Sequence, residues 1–382
     1  MSFRLTQLAS LDGLRGIAIL AVMLNNARYL PGGFLGVDIF FVLSGFLITA
    51  LLLQEWQRTG TIRLGAFYAR RALRLLPALF ALLAVVLLAP GLFYLAAPPW
   101  KDAAIAALYA TNWVNAFGLR NMVILDHTWS LTVEEQFYVL WPPLVPALLA
   151  LRVRRRWILS MVLLGIGVST GLRLLLWDGP ASIKRLYYGL DTRLDALLVG
   201  CLVALLVSWD LIPRTGKAVT AIRVIAGACA PALVLLLVTA DRGSRLTYHG
   251  LSTLACAAVA GVLLHVVYCP SRFRMLVLEN APIVWIGRIS YGLYLWHDPL
   301  FLDLLNSTRM AKLGLSGLPA LGVRFIAAFA VASLCFYLIE RPFLRIKRRF
   351  GGVGAAPPPS APEAVRPDPV SIPERIGRPR VS

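Results

Sequence analysis

The chain has 382 residues, 58% of them hydrophobic and only 15% charged, with a mean hydropathy of +0.72; soluble globular chains carry about 45–50% apolar and about 25% charged residues. Its 38 Lys and Arg outnumber 19 Asp and Glu, a net charge of +19, and the basic residues fall in short clusters between apolar stretches, as they do in loops that flank membrane spans. A nucleic-acid binder, a disordered chain and a soluble enzyme are excluded.

A bilayer core of about 30 Å takes about 20 mostly apolar residues as a helix. Ten such spans are predicted, at 12–30, 34–54, 75–96, 133–151, 157–177, 188–209, 220–240, 248–268, 283–304 and 318–340. The short apolar stretch 102–117 carries Asn112 and Asn115 and reads as interfacial or re-entrant. The expected fold is all-α and integral to the membrane: one polytopic bundle of about ten transmembrane helices over residues 1–350. A disordered, Pro-rich cytoplasmic tail is expected at 351–382, where eight prolines fall. With the N-terminus inside, the inner loops carry seventeen Lys and Arg and the outer loops nine. That bias puts both termini in the cytoplasm, and the high Ala, Leu and Arg content suggests a GC-rich bacterium, whose inner (plasma) membrane is the expected location. No cleavage site follows Phe3-Arg4, so the first span is expected to remain as an anchor. The five cysteines lie in or beside apolar segments without a CxxC pair, and the four histidines form no HxxxH pair. No metal is expected.

An ionisable group inside a span costs at least about 2.5–3.5 kcal/mol, so it faces protein or water. The first span presents Arg15 low and Asn26 high; eleven residues apart, they share one helix face at roughly 16 Å separation. The second opens at its outer end with Asp38. The fourth opens there with His127 through Glu134, Glu135 and Tyr138, Glu134 and Tyr138 sharing a face. The sixth opens with Tyr188, Arg193 and Asp195, and the ninth nears its outer end at Tyr291, Tyr294, His297 and Asp298. Five spans thus bring Asp, Glu, His and Arg to one outer depth. Two readings stand: an ion-paired plug that fixes packing, or a polar cavity where carboxylates and imidazoles exchange protons. At the inner face Arg70, Arg71 and Arg74 open the third span. They read either as a stop-transfer anchor or as a phosphate clamp for an anionic donor such as a coenzyme A thioester.

Six motifs then occur in order: LDGLRG at 11–16, GVDIFFVLSGFLI at 36–48, YARRALRLLP at 68–77, HTWSLTVEEQFYVLWP at 127–142, ISYGLYLWHDPL at 289–300 and LIERPF at 338–343. Over residues 9–346 the chain resembles the integral-membrane acyltransferase-3 family, which modifies bacterial surface glycans, peptidoglycan, lipooligosaccharides and some macrolides. The resemblance implies an acyl-CoA-dependent O-acyltransferase with no bound cofactor. An acetyl or other short acyl group would pass from cytoplasmic acyl-CoA to a hydroxyl of a glycan, glycolipid or glycosylated metabolite. Membrane lipid is a further expected partner and nucleic acid is not. It also implies roles: Arg70, Arg71 and Arg74 on the donor phosphates and Arg15 near the thioester. Glu134, His127 or Asp38 would serve as base and Asn26 as hydrogen-bond donor. Glu135, Tyr138, Arg193, Asp195 and His297 would form an acceptor-site or structural cluster, His297 either catalytic or holding Asp298 in register. The chain departs from the pattern at Asn26, where the family has histidine. An amide takes no proton near neutral pH, so three readings follow: another base, a chemistry needing only orientation, or a catalytically degenerate member. A transporter or flippase is the competing class; it would show repeats and broken helices in matching halves, and no repeat is found.

Overall fold

The computed structural model describes residues 9–93, 99–122, 124–272 and 274–347. All regular secondary-structure elements among them are helical. In chain order they are α1 (Ala9–Asn26), α2 (Gly36–Thr59), α3 (Leu64–Leu88), α4 (Trp100–Ala107), α5 (Thr111–Ala116) and α6 (Trp129–Ala150). Then come α7 (Arg155–Leu175), α8 (Ile183–Tyr188), α9 (Leu190–Ser208), α10 (Gly216–Thr239) and α11 (Ser252–Tyr268). The chain continues with α12 (Ala281–Arg288), α13 (Ser290–Pro299), α14 (Ser307–Lys312), α15 (Gly317–Cys335) and α16 (Arg341–Lys347). The tail expected at 351–382 lies outside the described residues.

Among the described residues, six helical segments are long and apolar enough to cross a membrane: Pro31–Thr59, Leu64–Leu88, Arg155–Leu175, Gly216–Thr239, Thr247–Tyr268 and Gly317–Ile346. The count therefore differs from the ten expected. The other four expected spans fall on helices diluted or divided by polar residues. α1 carries Asp12, Arg15, Asn25 and Asn26; α6 carries Glu134, Glu135, Gln136 and three prolines; α9 carries Asp191, Arg193 and Asp195. The expected span 283–304 is broken at Ile289 into α12 and α13. The third helix starts at Leu64, not near 75, so Arg70, Arg71 and Arg74 lie within it. The stretch 102–117 forms two short helices joined at Tyr109, whose φ is 52°.

α2 sits at the centre of the bundle, against α1, α6, α9 and α11. It is apolar all round, as a helix with neighbours on every side must be. It crosses α9 at a paired glycine contact: a Cβ on Gly45 would lie 1.9 Å from the Leu197 carbonyl oxygen, and one on Gly200 2.0 Å from that of Val42. Only glycine allows the backbones so close. The outward faces of the peripheral helices are apolar: Phe80 and Leu88 on α3, Leu163, Leu164 and Val168 on α7, Val234 and Leu235 on α10, and Ile326 and Leu334 on α15 are exposed. Exposed apolar surface on this scale belongs in lipid, and the molecule is a multi-pass membrane protein.

Candidate active site

Polar side chains line up through the bundle between α1, α3, α6 and α13. At one end, Asn26 closes α1, His127 lies in the tight turn Asp126–Thr128 ahead of α6, and His297 and Asp298 occupy the last turn of α13. The Asn26 side-chain nitrogen is 3.0 Å from Asp298 Oδ1 and 3.0 Å from His297 Nε2. His127 Nδ1 is 3.3 Å from Asp298 Oδ2, and its Nε2 is 3.1 Å from the Leu295 carbonyl. His297 Nδ1 faces the carbonyls of Leu293 and Tyr294 at 3.0 and 2.9 Å. The Tyr294 hydroxyl donates to the His127 carbonyl, and lies 2.6 Å from Ser130 Oγ. His297, Asp298 and His127 are buried, whereas Asn26 is half-buried. At the rim, Asp126 accepts from the Tyr188 hydroxyl at 3.1 Å. Burial, reinforced by the Asp298 charge, pushes the Asp126 carboxyl up to about 6.

Further along, Arg71 lies over the Tyr138 ring at 3.2 Å and pairs with Glu135 at 2.6 Å, with Glu134 at 3.9 Å. Glu134 also accepts from Ser44 at 2.8 Å. The sequence placed Glu134, Glu135 and Tyr138 beside the histidines and Arg71 at the opposite face; they meet instead because α3 begins early and carries Arg71 into the bundle. Arg71 is thus neutralised by carboxylates, and Arg70 lies 3.7 Å from Glu55. Arg74 has no carboxylate partner within 4.0 Å among the described residues; Arg15, Arg71, Asp12 and Glu340 are the charges around it. Arg15 touches Asp12 at 3.9 Å, and Asp12 also faces Arg288 at 3.8 Å. Arg15 and Arg74 are thus neighbouring charges, and among the described residues Asp12 is the only carboxylate ion-paired to either.

The remaining expected residues form a separate network between α2, α7, α9 and α11. Arg193 pairs with Asp38 at 2.9 Å, enclosed by the rings of Phe41, Trp129 and Tyr187. Asp195 takes both terminal nitrogens of Arg173, at 2.8 and 2.6 Å, and a hydrogen bond from Thr253 at 2.8 Å. All four ions are buried. The sequence reading missed Arg173, although it is a lone charge inside the apolar segment 157–177 and the intramembrane-charge rule flags it. It also missed Ser44, Ser130 and Thr253, which carry no charge to mark them. Among the described residues, no three or more His, Cys, Asp and Glu converge as a metal site requires.

A multi-pass bundle with an ionisable column through it is built for chemistry or transport within the membrane. The family model described as an acyltransferase domain matches residues 8–341. The chain belongs to that family, the acyltransferase-3 family. It is 32% identical to the peptidoglycan O-acetyltransferase OatA of Listeria monocytogenes, over 87% of this chain and 55% of that protein. It is 35% identical to the O-acetyltransferase OatA of Staphylococcus aureus, over 77% and 51% respectively. The chain spans about half the length of the curated relatives it matches. No solved structure matches it.

Proposed function

We propose that this chain is an O-acetyltransferase of the bacterial plasma membrane. It takes the acetyl group from cytoplasmic acetyl-CoA and delivers it to a hydroxyl of a cell-surface glycan, peptidoglycan first. Residues 1–350 are the acyltransferase unit, with both termini in the cytoplasm; the seventeen-to-nine loop-charge bias supports that orientation. The carrying observation is the column itself, which runs from the Arg15–Arg74 cation pair to the Asn26–His297–Asp298–His127 cluster. The two guanidiniums suit a diphosphate or a polarised thioester carbonyl, since fork-shaped donors match such oxygens. Arg15 and Asn26 stand roughly 16 Å apart along α1, a span that an extended pantetheine arm can cover. The imidazole–carboxylate cluster at the far end suits deprotonation of a hydroxyl. The relatives' names support the acetyl group and the glycan acceptor.

The test is reconstitution of the full chain in lipid nanodiscs with labelled acetyl-CoA and an oligomer of N-acetylglucosamine and N-acetylmuramic acid. The expected product is a labelled, alkali-labile ester on the glycan, with Arg74→Ala raising KM for acetyl-CoA. Label that never leaves coenzyme A, whichever glycan is offered, would overturn the reading.

A further inference from the structure

Proton positions at the Asn26 end follow from which atoms can only accept. His297 Nδ1 faces two main-chain carbonyls, at 3.0 and 2.9 Å. A carbonyl oxygen has no hydrogen to give, so Nδ1 carries one. The Asn26 nitrogen lies 3.0 Å from a carboxylate oxygen of Asp298. Were the amide turned over, two oxygens would meet there, so the NH2 group faces Asp298 and the neighbouring His297 Nε2, one hydrogen to each. Nε2 is therefore the lone-pair nitrogen of a neutral imidazole. His127 is arranged differently. Its Nε2 donates to the Leu295 carbonyl at 3.1 Å, and its Nδ1 lies 3.3 Å from Asp298 Oδ2 without a formed hydrogen bond. Of the other carboxylates at hand, Glu134 is held by Arg71 and Asp38 by Arg193, and Asp126 is bonded by the Tyr188 hydroxyl.

The half-buried Asn26 amide covers two acceptors in the cluster, His297 Nε2 and Asp298 Oδ1, and of the two an imidazole nitrogen is ordinarily the more basic. His297 is wholly buried, and its Nε2 is capped by the half-buried amide of Asn26. We infer that His297 Nε2 is the proton acceptor for the incoming hydroxyl, and that Asn26 is a cap which this hydroxyl displaces. The inference rests on the acyltransferase reading above. It places the base on α13 in a chain whose first helix offers an amide. The hydroxyl oxygen forms its bond to the acyl carbon as its proton passes to Nε2. The carbon–sulfur bond of the thioester then breaks, and the departing thiolate takes the proton back from His297, leaving an ester and free coenzyme A. The displaced Asn26 amide has its N–H free to donate to the carbonyl oxygen while charge develops there. Asp298, between both imidazoles, offsets the transient imidazolium. His127 acts through Asp298 and is a positioning residue.

The test compares His297→Asn with His127→Asn in the reconstituted full chain, using acetyl-CoA and the same glycan oligomer. Asparagine at 297 keeps an N–H donor where Nδ1 stood and removes the lone-pair nitrogen. His297→Asn should melt and bind acetyl-CoA as the wild type does, while ester formation falls by about 10²–10⁴-fold. His127→Asn, which can donate to Asp298, should lose less. Added imidazole should restore part of the activity to His297→Ala but not to His127→Ala. The assignment is overturned if His297→Asn stays within about tenfold of wild type, if its loss tracks a matching fall in melting temperature or donor binding, or if His127→Asn is the more damaged. A wild-type protein that forms no ester brings down the acyltransferase reading and this inference together.

Discussion

The bundle holds two ionic assemblies that differ in charge balance and in burial. Between α2, α7, α9 and α11, two arginines meet two aspartates, all four ions are buried, and Arg173 engages Asp195 through both terminal nitrogens. Between α1, α3, α6 and α13, the charges are spread along a column. One end leaves two neighbouring guanidiniums with Asp12 as the only paired carboxylate among the described residues, and the other leaves an imidazole lone pair under a half-buried amide. A charge-balanced network sealed from solvent clamps helices, even though Asp38 Oδ2, Arg173 Nε and Arg193 Nε make no hydrogen bond in it. An assembly with unspent donors and acceptors beside a half-buried side chain is one that a ligand can complete. Presence of ions in a span does not separate these roles; charge balance and burial do.

The largest effect should come from breaking the balanced network. Asp195→Asn strands Arg173 in an apolar interior, and removal of one partner of a buried pair costs about 3–5 kcal/mol. The melting temperature in detergent should fall sharply. The joint replacement Arg173→Met with Asp195→Leu should recover most of it, since an apolar pair leaves no orphan charge. If the single variant melts like the wild type, the network is not a clamp. Next in size is Gly200→Ala at the α2–α9 crossing. Its new methyl would meet the Val42 carbonyl at 2.0 Å, and overpacking of this kind costs about 1–3 kcal/mol. A neutral result there would mean that the two helices can separate, contrary to a clamp.

The column should answer differently. Asn26→Ala removes two hydrogen bonds, to His297 and Asp298, yet the position is half-buried and water can take over as donor. Its stability loss should stay near about 1 kcal/mol, below that of Gly200→Ala, with acetyl-CoA binding kept. A collapse on the scale of Asp195→Asn would show the Asn26 cluster to be structural, erasing the contrast between the two regions.

Much of this was legible in the sequence. The apolar segments located the helices, and the intramembrane charges named most members of both assemblies. Depth along a span was enough to bring His127, His297, Asp298 and Asn26 together, because each sits at a helix end where one residue of error matters little. It failed for Glu134 and Arg71. Arginines at the head of a span read as loop charges, whereas α3 starts at Leu64 and buries Arg71 against Glu135 and Tyr138. That pairing lowers the cost of carrying a charge inside, and no local pattern announces it. The break at Ile289 was missed for a related reason: α12 and α13 are together long and apolar enough to read as one helix.

The smallest effect is a pH dependence at the rim of the column. Burial, with the Asp298 charge adding to it, raises the Asp126 carboxyl from its ordinary 3.8 to about 6. Between those values the folded protein holds a proton that the unfolded chain has released, so ν_U is below ν_N and stability falls as pH rises. The contribution is fully present below about 3.8 and lost as pH passes about 6. Asp126→Asn cannot release that proton. The difference in melting temperature between variant and wild type should therefore grow in favour of the variant from about pH 4 to about pH 6.5, and level off above. The buried network holds its ions away from any rim, and the same difference measured for Cys256→Ala, beside Asp38, should stay flat across that window. A flat curve for Asp126→Asn as well would mean that its carboxyl is hydrated at the rim, and that the column opens to water further out than Asn26.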